Sequence, residues 1–451
     1  MATPQETTRI LRRLLASGIN SRAERLLMRV HPADLGPLIS GLTPPEVRTV
    51  IDLLFRHRRA ARTLIELPPE MLPSVFEVLG DERLALVLGR LELDDMVQLV
   101  EWIPEDRREA ILARLPDEKR AELRKAELYP DDSAGRVMTT SFVALQEEMT
   151  AQQAIERIRE IGDETEAVLY LYVIDEKEHL RGVVPIRRLV ASQPGRPVRD
   201  LMIHDPISVP TDADQETVAN LVTRYNLLAV PVVDEEGRIQ GVITVDDVLE
   251  VITEEATEDI YKLAGLDAEE DRVFNPASQA VRRRLPWMLL NLGATFAAAG
   301  VVGLFENTLE EIVALAFFMP VVAGMGGNGG IQSLTVITRA IALGEIEFSS
   351  GFRAIGREVA VAIVIGAVTG IVSGFLAFLW QGNPYLGLVL FVAMMLTLVV
   401  AGVLGAAVPL LLEAAGLDPA LGSGVIVTTL TDIFGFVSFL GAGTLLLDRL
   451  T

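Results

Sequence analysis

Cysteine is absent from all 451 residues, so the chain can form neither disulfides nor thiolate metal sites. Histidine is scarce, at four residues, which argues against a His-rich zinc or copper site. Any metal must then be held by oxygen, the donor preferred by hard ions such as Mg²⁺, Ca²⁺ and Mn²⁺. Positive charge is also in short supply. Forty Lys and Arg stand against 62 Asp and Glu, a net charge of −22. That balance argues against nucleic acid, whose phosphates are bound by clustered Lys and Arg. Met1 to Arg13 lack the apolar core of a signal peptide. The first long apolar run starts only at Leu285, so the residues before it are expected to stay on the side where they are made. No nucleophile–base pair or catalytic metal motif appears, and an enzyme is not expected.

The charge that is present is uneven. Residues 1–130 carry 21 acids and 20 bases, and residues 285–451 carry 10 acids and 4 bases. Residues 131–275 carry 31 acids and 13 bases, a net of −18. One middle segment therefore holds most of the negative charge, in a pattern suited to binding cations.

Organisation changes three times along the chain. Residues 20–128 read as short helices in series, with apolar residues at helical spacing in Val47, Val50, Ile51 and Leu54 and in Met96, Leu99, Val100 and Ile103. Proline followed by acid at Pro44-Pro45-Glu46, Pro68-Pro69-Glu70, Pro104-Glu105 and Pro116-Asp117 marks helix starts. From Val137 to Thr253 strands and helices alternate, twice. Val173-Ile174-Asp175-Glu176 matches Val232-Val233-Asp234-Glu235, and Gly182-Val183-Val184 matches Gly241-Val242-Ile243. Val137-Met138-Thr139 pairs with Leu201-Met202-Ile203 at a slightly longer offset, which places about five extra residues in the first copy near Gly162-Asp163-Glu164. Two such copies predict a pseudo-symmetric α/β pair. After a charged linker ending in Arg282-Arg283-Arg284 come five apolar segments, near 285–305, 312–341, 359–380, 386–412 and 420–447. Each is long enough to cross a bilayer, for which about 20 residues suffice. The triple arginine, with Arg353 and Arg357 between the second and third spans, places the N-terminal side in the cytoplasm. Segments 306–311 and 381–385 have no Lys or Arg, as outside loops should, and five spans leave the C-terminus outside. The fold class is thus multi-domain: an all-α N-domain, a tandem α/β pair and a five-helix membrane bundle.

Asp432, mid-span in Thr428-Thr429-Leu430-Thr431-Asp432, is the sharpest single residue. A carboxylate at the bilayer centre costs about 2.5–3.5 kcal/mol. No Lys or Arg lies in the central part of any span to pair it, so a cation is the partner left over. The bland alternative is a protonated Asp bonded to a neighbouring hydroxyl such as Thr428. The run Pro320 to Gly330 holds five glycines and Asn328, a poor composition for a continuous helix. Broken backbone there would line a water-filled path and offer carbonyls to an ion's water shell, whereas the alternative is close helix packing. Asp94-Asp95, Asp246-Asp247 and Glu254-Glu255 with Glu258-Asp259 are acidic pairs whose repulsion a divalent ion would reverse. A solvated face remains the plainer reading of any one pair.

The sequence resembles the MgtE family of Mg²⁺ channels along essentially its whole length. The matching pieces are Tyr129 to Gly135 with Val137-Met138-Thr139, Gly241 to Leu249, Glu254 to Ile260, the Gly-rich turn with Gln332-Ser333, and Asp418-Pro419-Ala420 leading to Asp432. The repeat is similar to cystathionine-β-synthase (CBS) domains. The resemblance implies four parts: a helical cytoplasmic N-domain at 1–130, tandem CBS domains at 131–253, a linking plug helix at 254–284 and a transmembrane pore domain at 285–451. It implies a homodimer in the cell (plasma) membrane, with the pore on its two-fold axis. Asp432 of both subunits would hold a hydrated Mg²⁺, a sensible arrangement for an ion that gives up water reluctantly. The ion-pathway set is Asp432, Asn328, Gly324 and Gly327, with Glu310 and Thr335. Mg²⁺ is then both transported and regulatory. Cytoplasmic Mg²⁺ would close the pore by bridging the N-domain, the CBS pair and the plug helix. Asp94, Glu216, Asp247, Glu250, Glu255, Glu258, Asp259 and Asp418 look like the family's sensor ligands, and Asp95, Asp246 and Glu254 stand beside them.

The sequence departs from the family pattern in places. Ile331 replaces an amide side chain in the Gly-rich turn, Asn226 stands where Asp is expected, and Gln98 replaces an acid of the N-domain. The first CBS copy has Pro185 and Arg188 where a ribose-binding Ser/Thr-x-x-Asp is expected, while the second keeps Thr244 and Asp247. Adenine-nucleotide binding stays open on that reading. The competing functions are a channel for another divalent ion, such as Mn²⁺ or Co²⁺, and a membrane-anchored nucleotide sensor.

Overall fold

The computed structural model describes residues 4–17, 20–57, 59–161, 169–266, 277–346 and 350–450. Gly162-Asp163-Glu164, the expected insertion, and positions 267–275 of the linker lie outside the described residues. The chain divides into two compact units, Met1–Ile252 and Thr253–Thr451.

The first unit opens with the expected series of short helices. Thr43 caps the helix Pro44–Arg56 reciprocally: its backbone N–H donates to Glu46 Oε2 at 2.8 Å and its hydroxyl at 2.9 Å. Helices Glu105–Leu112 and Asp117–Ala126 each start directly after the proline the sequence marks. Val50, Ile51, Leu54, Met96, Leu99 and Ile103 are all at most 2% exposed, within one core that runs through the helical series. Helical spacing thus identifies the core face correctly.

The tandem repeat follows. β1 (Ala144–Gln146), β2 (Tyr170–Ile174), β3 (Leu180–Pro185) and β4 (Ile203–His204) form one sheet. β5 (Val209–Pro210), β6 (Ala229–Val233) and β7 (Ile239–Thr244) form the second. The copies repeat in detail. β1 runs parallel to β2 and β5 parallel to β6, and both central hairpins carry a register shift, between Val173 and Ile174 and between Val232 and Val233. Asp175 and Asp234 close equivalent hairpin turns, accepting backbone N–H bonds from Lys177 and His179, and from Glu236 and Arg238. Asn226 ends the helix Gln215–Tyr225 in the left-handed region, at φ 51°, donating its N–H to the Val222 carbonyl. An amide residue at the position where Asp is expected therefore serves as a helix stop.

The second unit holds five helices long and apolar enough to cross a membrane: Ala277–Gly303, Ala314–Ala342, Gly351–Gln381, Pro384–Ala414 and Ser423–Leu445, called membrane helices 1 to 5 below. Two expected boundaries move. Arg282-Arg283-Arg284 lie within membrane helix 1, and Arg353 and Arg357 lie within the first two turns of membrane helix 3 instead of in a loop. Long basic side chains can occupy a helix end because they extend toward the polar interface.

Candidate ion pathway and acidic sites

Membrane helix 2 is continuous from Ala314 to Ala342, through Pro320 and all the glycines that follow. The expected broken backbone is therefore corrected, and with it the idea that carbonyls at Gly324 and Gly327 are freed for an ion. Gly326, Gly329 and Gly330 serve close packing instead. A Cβ on Gly326 would lie 2.7 Å from Thr397 Cγ2, and one on Gly330 would lie 2.6 Å from Val427 Cγ1. Gly405 answers from membrane helix 4, where a Cβ would meet the Gly330 carbonyl at 2.6 Å. Glycine's poor helix propensity is offset where it lets backbones approach this closely.

Another side of the same helix carries Gly324, Asn328, Ile331 and Thr335 at spacings of four and three, all exposed in the single chain. Gly327 borders this stripe, and a Cβ on it would lie 3.8 Å from Thr428 Cγ2 of membrane helix 5. Thr428 lies one turn before Asp432, so the stripe and the carboxylate occupy adjoining parts of the helix 2–helix 5 pair. Asp432 is half-buried, and among the described residues no Lys or Arg pairs with it. The Thr428 hydroxyl donates to the Gly424 carbonyl at 2.9 Å, and those of Thr429 and Thr431 donate to Val425 and Thr428. These hydroxyls are engaged as donors with their own backbone, so a bond between Thr428 and Asp432 would need a protonated Asp432 as its donor. Thr335 likewise donates to the Ile331 carbonyl at 2.8 Å. Glu310 is exposed on the short helix Glu306–Glu311, before membrane helix 2.

Sequence reasoning missed a second intramembrane carboxylate. Glu358, 5% exposed, accepts the Ser333 hydroxyl at 2.8 Å and an Arg357 guanidinium N–H at 2.7 Å. A signal for it existed. Glu358, Ala362, Gly366, Gly370 and Gly374 are the buried residues of membrane helix 3 at a spacing of four, and Glu358 is the one large polar member of that row.

In the first unit the structure brings together Asp94, Asp95 and Asp247, and adds Glu92, which sequence reasoning passed over. Burial, then Asp247, Asp95 and Glu92, push the Asp94 carboxyl up to about 8. Its buried Oδ1 has no hydrogen-bond partner among the described residues. Asp247 is also raised by burial, although it accepts the Thr244 N–H at 3.0 Å and the Thr244 hydroxyl at 2.5 Å. Asp246, Glu250 and Glu254 are exposed, while Glu216 and Glu255 are partly covered. Among the described residues, no three acids or histidines are grouped closely enough to hold a metal as they stand.

The sign of the pH effect follows from Asp94. Its folded-state carboxyl holds a proton between the ordinary value of 3.8 and about 8, where the unfolded chain does not. Stability therefore falls as pH rises through that window, and the full penalty is present above it. In divalent-free buffer, the melting transition of the first unit should drop between pH 6 and pH 9. Asp94→Asn should make that drop smaller; an equal drop in the variant would refute the assignment.

The helix Val245–Leu263 runs unbroken across the expected 253/254 border. Toward its end Lys262 pairs with Glu258 one turn back and with Asp418 Oδ2 at 2.6 Å, in the connection between membrane helices 4 and 5. Burial would lower the Lys262 ammonium, yet Asp418 and Glu258 hold it above its usual range. Asp259 is raised by burial and by Asp418, against Lys262 and Arg339. The acids at 258 and 418 thus already face a cation, one that the sequence reading overlooked although it stands four residues after Glu258.

A multi-pass bundle with one basic-partner-free carboxylate in its last span, joined to a tandem α/β repeat, defines a membrane transport protein rather than an enzyme. Comparison with known proteins gives the same class. Residues 319–442 match the divalent cation transporter model of the MgtE family, 30–132 match the MgtE intracellular N domain, and 134–195 and 198–254 each match a CBS domain. The magnesium transporter MgtE of Thermus thermophilus is 35% identical over 97% of this chain and 98% of its own length. That of Bacillus subtilis is 36% identical over 85% of each chain. The crystal structure of the cytosolic domain of the Mg²⁺ channel MgtE in complex with ATP covers 54% of this chain and 99% of its own, at 35% identity and a TM-score of 0.52. The chain belongs to the MgtE family.

Proposed function

We propose that this chain is a Mg²⁺ channel that works as a homodimer and closes when cytoplasmic Mg²⁺ binds its acidic residues. The observation that carries the reading is Asp432: a half-buried carboxylate in membrane helix 5 with no Lys or Arg partner among the described residues. A hydrated divalent ion, bound through its water shell, balances such a charge. The exposed Gly324–Asn328–Thr335 stripe beside it supplies the rest of the pathway wall, with a second copy of the chain closing the other side.

Regulation rests on the surplus of acids at 131–275 and on Asp94. A divalent ion entering beside Asp94 and Asp247 displaces the proton held there and draws the carboxylates together. Asp94, Asp95, Glu216, Asp246, Asp247, Glu250, Glu254, Glu255, Glu258, Asp259 and Asp418 are the assigned sensor set. The four parts fall at 1–130, 131–253, 254–284 and 285–451, with the N-terminal side in the cytoplasm and the C-terminus outside the plasma membrane. One relative's cytosolic domain was solved with ATP. In this chain the Asp247 carboxylate is engaged by its own Thr244, and Pro185 and Arg188 break the matching motif in the first copy. Asp247 is assigned to the cation because it stands beside Asp94.

The test is flux into liposomes containing the purified full-length protein, with Mg²⁺, Mn²⁺ and Co²⁺ offered separately. Mg²⁺ should enter, and should enter more slowly when the cytoplasmic face is preloaded with Mg²⁺. Entry of Mn²⁺ or Co²⁺ with Mg²⁺ excluded would overturn the choice of ion, and no divalent flux at all would overturn conduction.

A further inference from the structure

We propose that Glu358 is a positioning residue for the ion pathway. Through Ser333 it fixes the rotation of membrane helix 2 and so aims Asn328. The inference rests on the reading of the Asn328 stripe as pathway wall.

Membrane helix 3 packs along helix 4 and meets helix 2 across a cavity of about 290 Å³. Asn328, Gln332 and Ser333 line it from helix 2, and Arg357 and Glu358 from helix 3. The Ser333–Glu358 bond, at 2.8 Å, spans this gap. Five residues separate Asn328 from Ser333, which places them about 140° apart around the helix. Both border the cavity, Ser333 beside helix 3 and Asn328 further round, so pinning Ser333 sets the direction in which Asn328 leaves the helix. Leu334 and Ile337 are buried toward the C-terminal end and Leu315, Phe318 and Val322 toward the N-terminal end, while the turn that carries Asn328 is flanked by small residues. Gly326 and Gly330 lie against helices 4 and 5 with no side chain of their own to interlock. A glycine surface lets two helices approach closely, so at this turn the Ser333–Glu358 bond is the polar contact that sets the helix's orientation toward helix 3.

The charge chemistry favours a tether over an ion ligand. The carboxylate is already neutralised by Arg357 at 2.7 Å, whose own side chain is 67% exposed. A passing cation would meet a guanidinium beside the carboxylate. What Glu358 supplies to helix 2 is a hydrogen-bond acceptor, and an amide oxygen supplies the same.

Because the chain has no cysteine, Asn328→Cys introduces its sole thiol. In full-length protein in liposomes, a charged, water-soluble methanethiosulfonate reagent should modify that thiol. Adding Ser333→Ala should change the modification rate about tenfold, as befits loss of one hydrogen bond to a charged group. Glu358→Ala should act in the same direction, and Glu358→Gln, which keeps an acceptor for Ser333, should restore the parent rate. Size-exclusion profiles matching the parent identify variants that have folded; Ser333→Ala and Glu358→Gln remain informative if Glu358→Ala does not. A reactive thiol whose rate is the same with Ser333→Ala overturns the tether alone. Glu358→Gln as damaging as Ser333→Ala would assign a charge role instead of positioning. A thiol inert to the aqueous reagent in the parent overturns the pathway reading and the tether with it.

Discussion

Asp432→Ala should reduce Mg²⁺ flux by more than a hundredfold while the protein still folds and inserts. At 4 Å and an effective dielectric near 20, one unit charge interacts with another by about 4 kcal/mol, and a divalent ion doubles the charge. Even heavily screened by the ion's water shell, losing that attraction exceeds the roughly 2.7 kcal/mol that a hundredfold requires. Folding should not suffer, because removing a carboxylate from mid-span relieves an insertion cost of about 2.5–3.5 kcal/mol. The hydroxyls around it already bond their own helix, so its loss strands none of those donors. Asp432→Asn refines the result. It keeps the shape and the capacity to bond water but drops the charge, so it should lose preference for divalent over monovalent ions before it loses conduction. Proteoliposome flux of Mg²⁺ and K⁺ measures both, and parent-level Mg²⁺ flux through Asp432→Ala would remove the basis for placing the pore here.

How much of this could be seen in the sequence depended on the range of the interaction. The five spans are local hydropathy, and all five are present. The tandem repeat is local too: Asp175 and Asp234 recur at the same offset as the strands they join, and both make the same turn bonds. Membrane helix 3 starts earlier than its apolar run because Arg353 and Arg357 look like loop residues one at a time. Only the small-residue row on which Glu358 falls reveals it as part of a buried face. The glycine run failed for the opposite reason. Its composition is that of a broken helix, and what makes it a packed one is Thr397, Gly405 and Val427, supplied by two distant helices. Asp94 and Asp95 were legible as a pair, but the neighbour that raises Asp94 most is Asp247, more than a hundred residues further on.

Lys262 shows the same division and yields the second large expectation. Its bond to Glu258 is a local i,i+4 pair, whereas Asp418 arrives from between two membrane helices. Lys262 thus stands where a divalent ion would stand, holding the end of the helix Val245–Leu263 to the membrane unit. An ion shifts a two-state gate only by its difference in affinity between the states, so a resident ammonium that favours the closed state weakens the ion's further effect. In Lys262→Gln the tether is lost, and the open fraction without Mg²⁺ should rise. Glu258, Asp418 and the nearby Asp259 are then left unneutralised, so half-closure should need about tenfold less Mg²⁺, equivalent to about 1.4 kcal/mol of added affinity. The three side chains are 26–35% exposed, so both effects should shrink at high salt. Unitary conductance and selectivity should not change, because Asp432 is untouched. Single-channel recording across a range of cytoplasmic Mg²⁺ separates these quantities. If the open fraction without Mg²⁺ rises but the half-closing concentration does not move, Lys262 is a mechanical tether and the closing ion binds elsewhere. If neither moves, the Glu258–Lys262–Asp418 contact takes no part in gating.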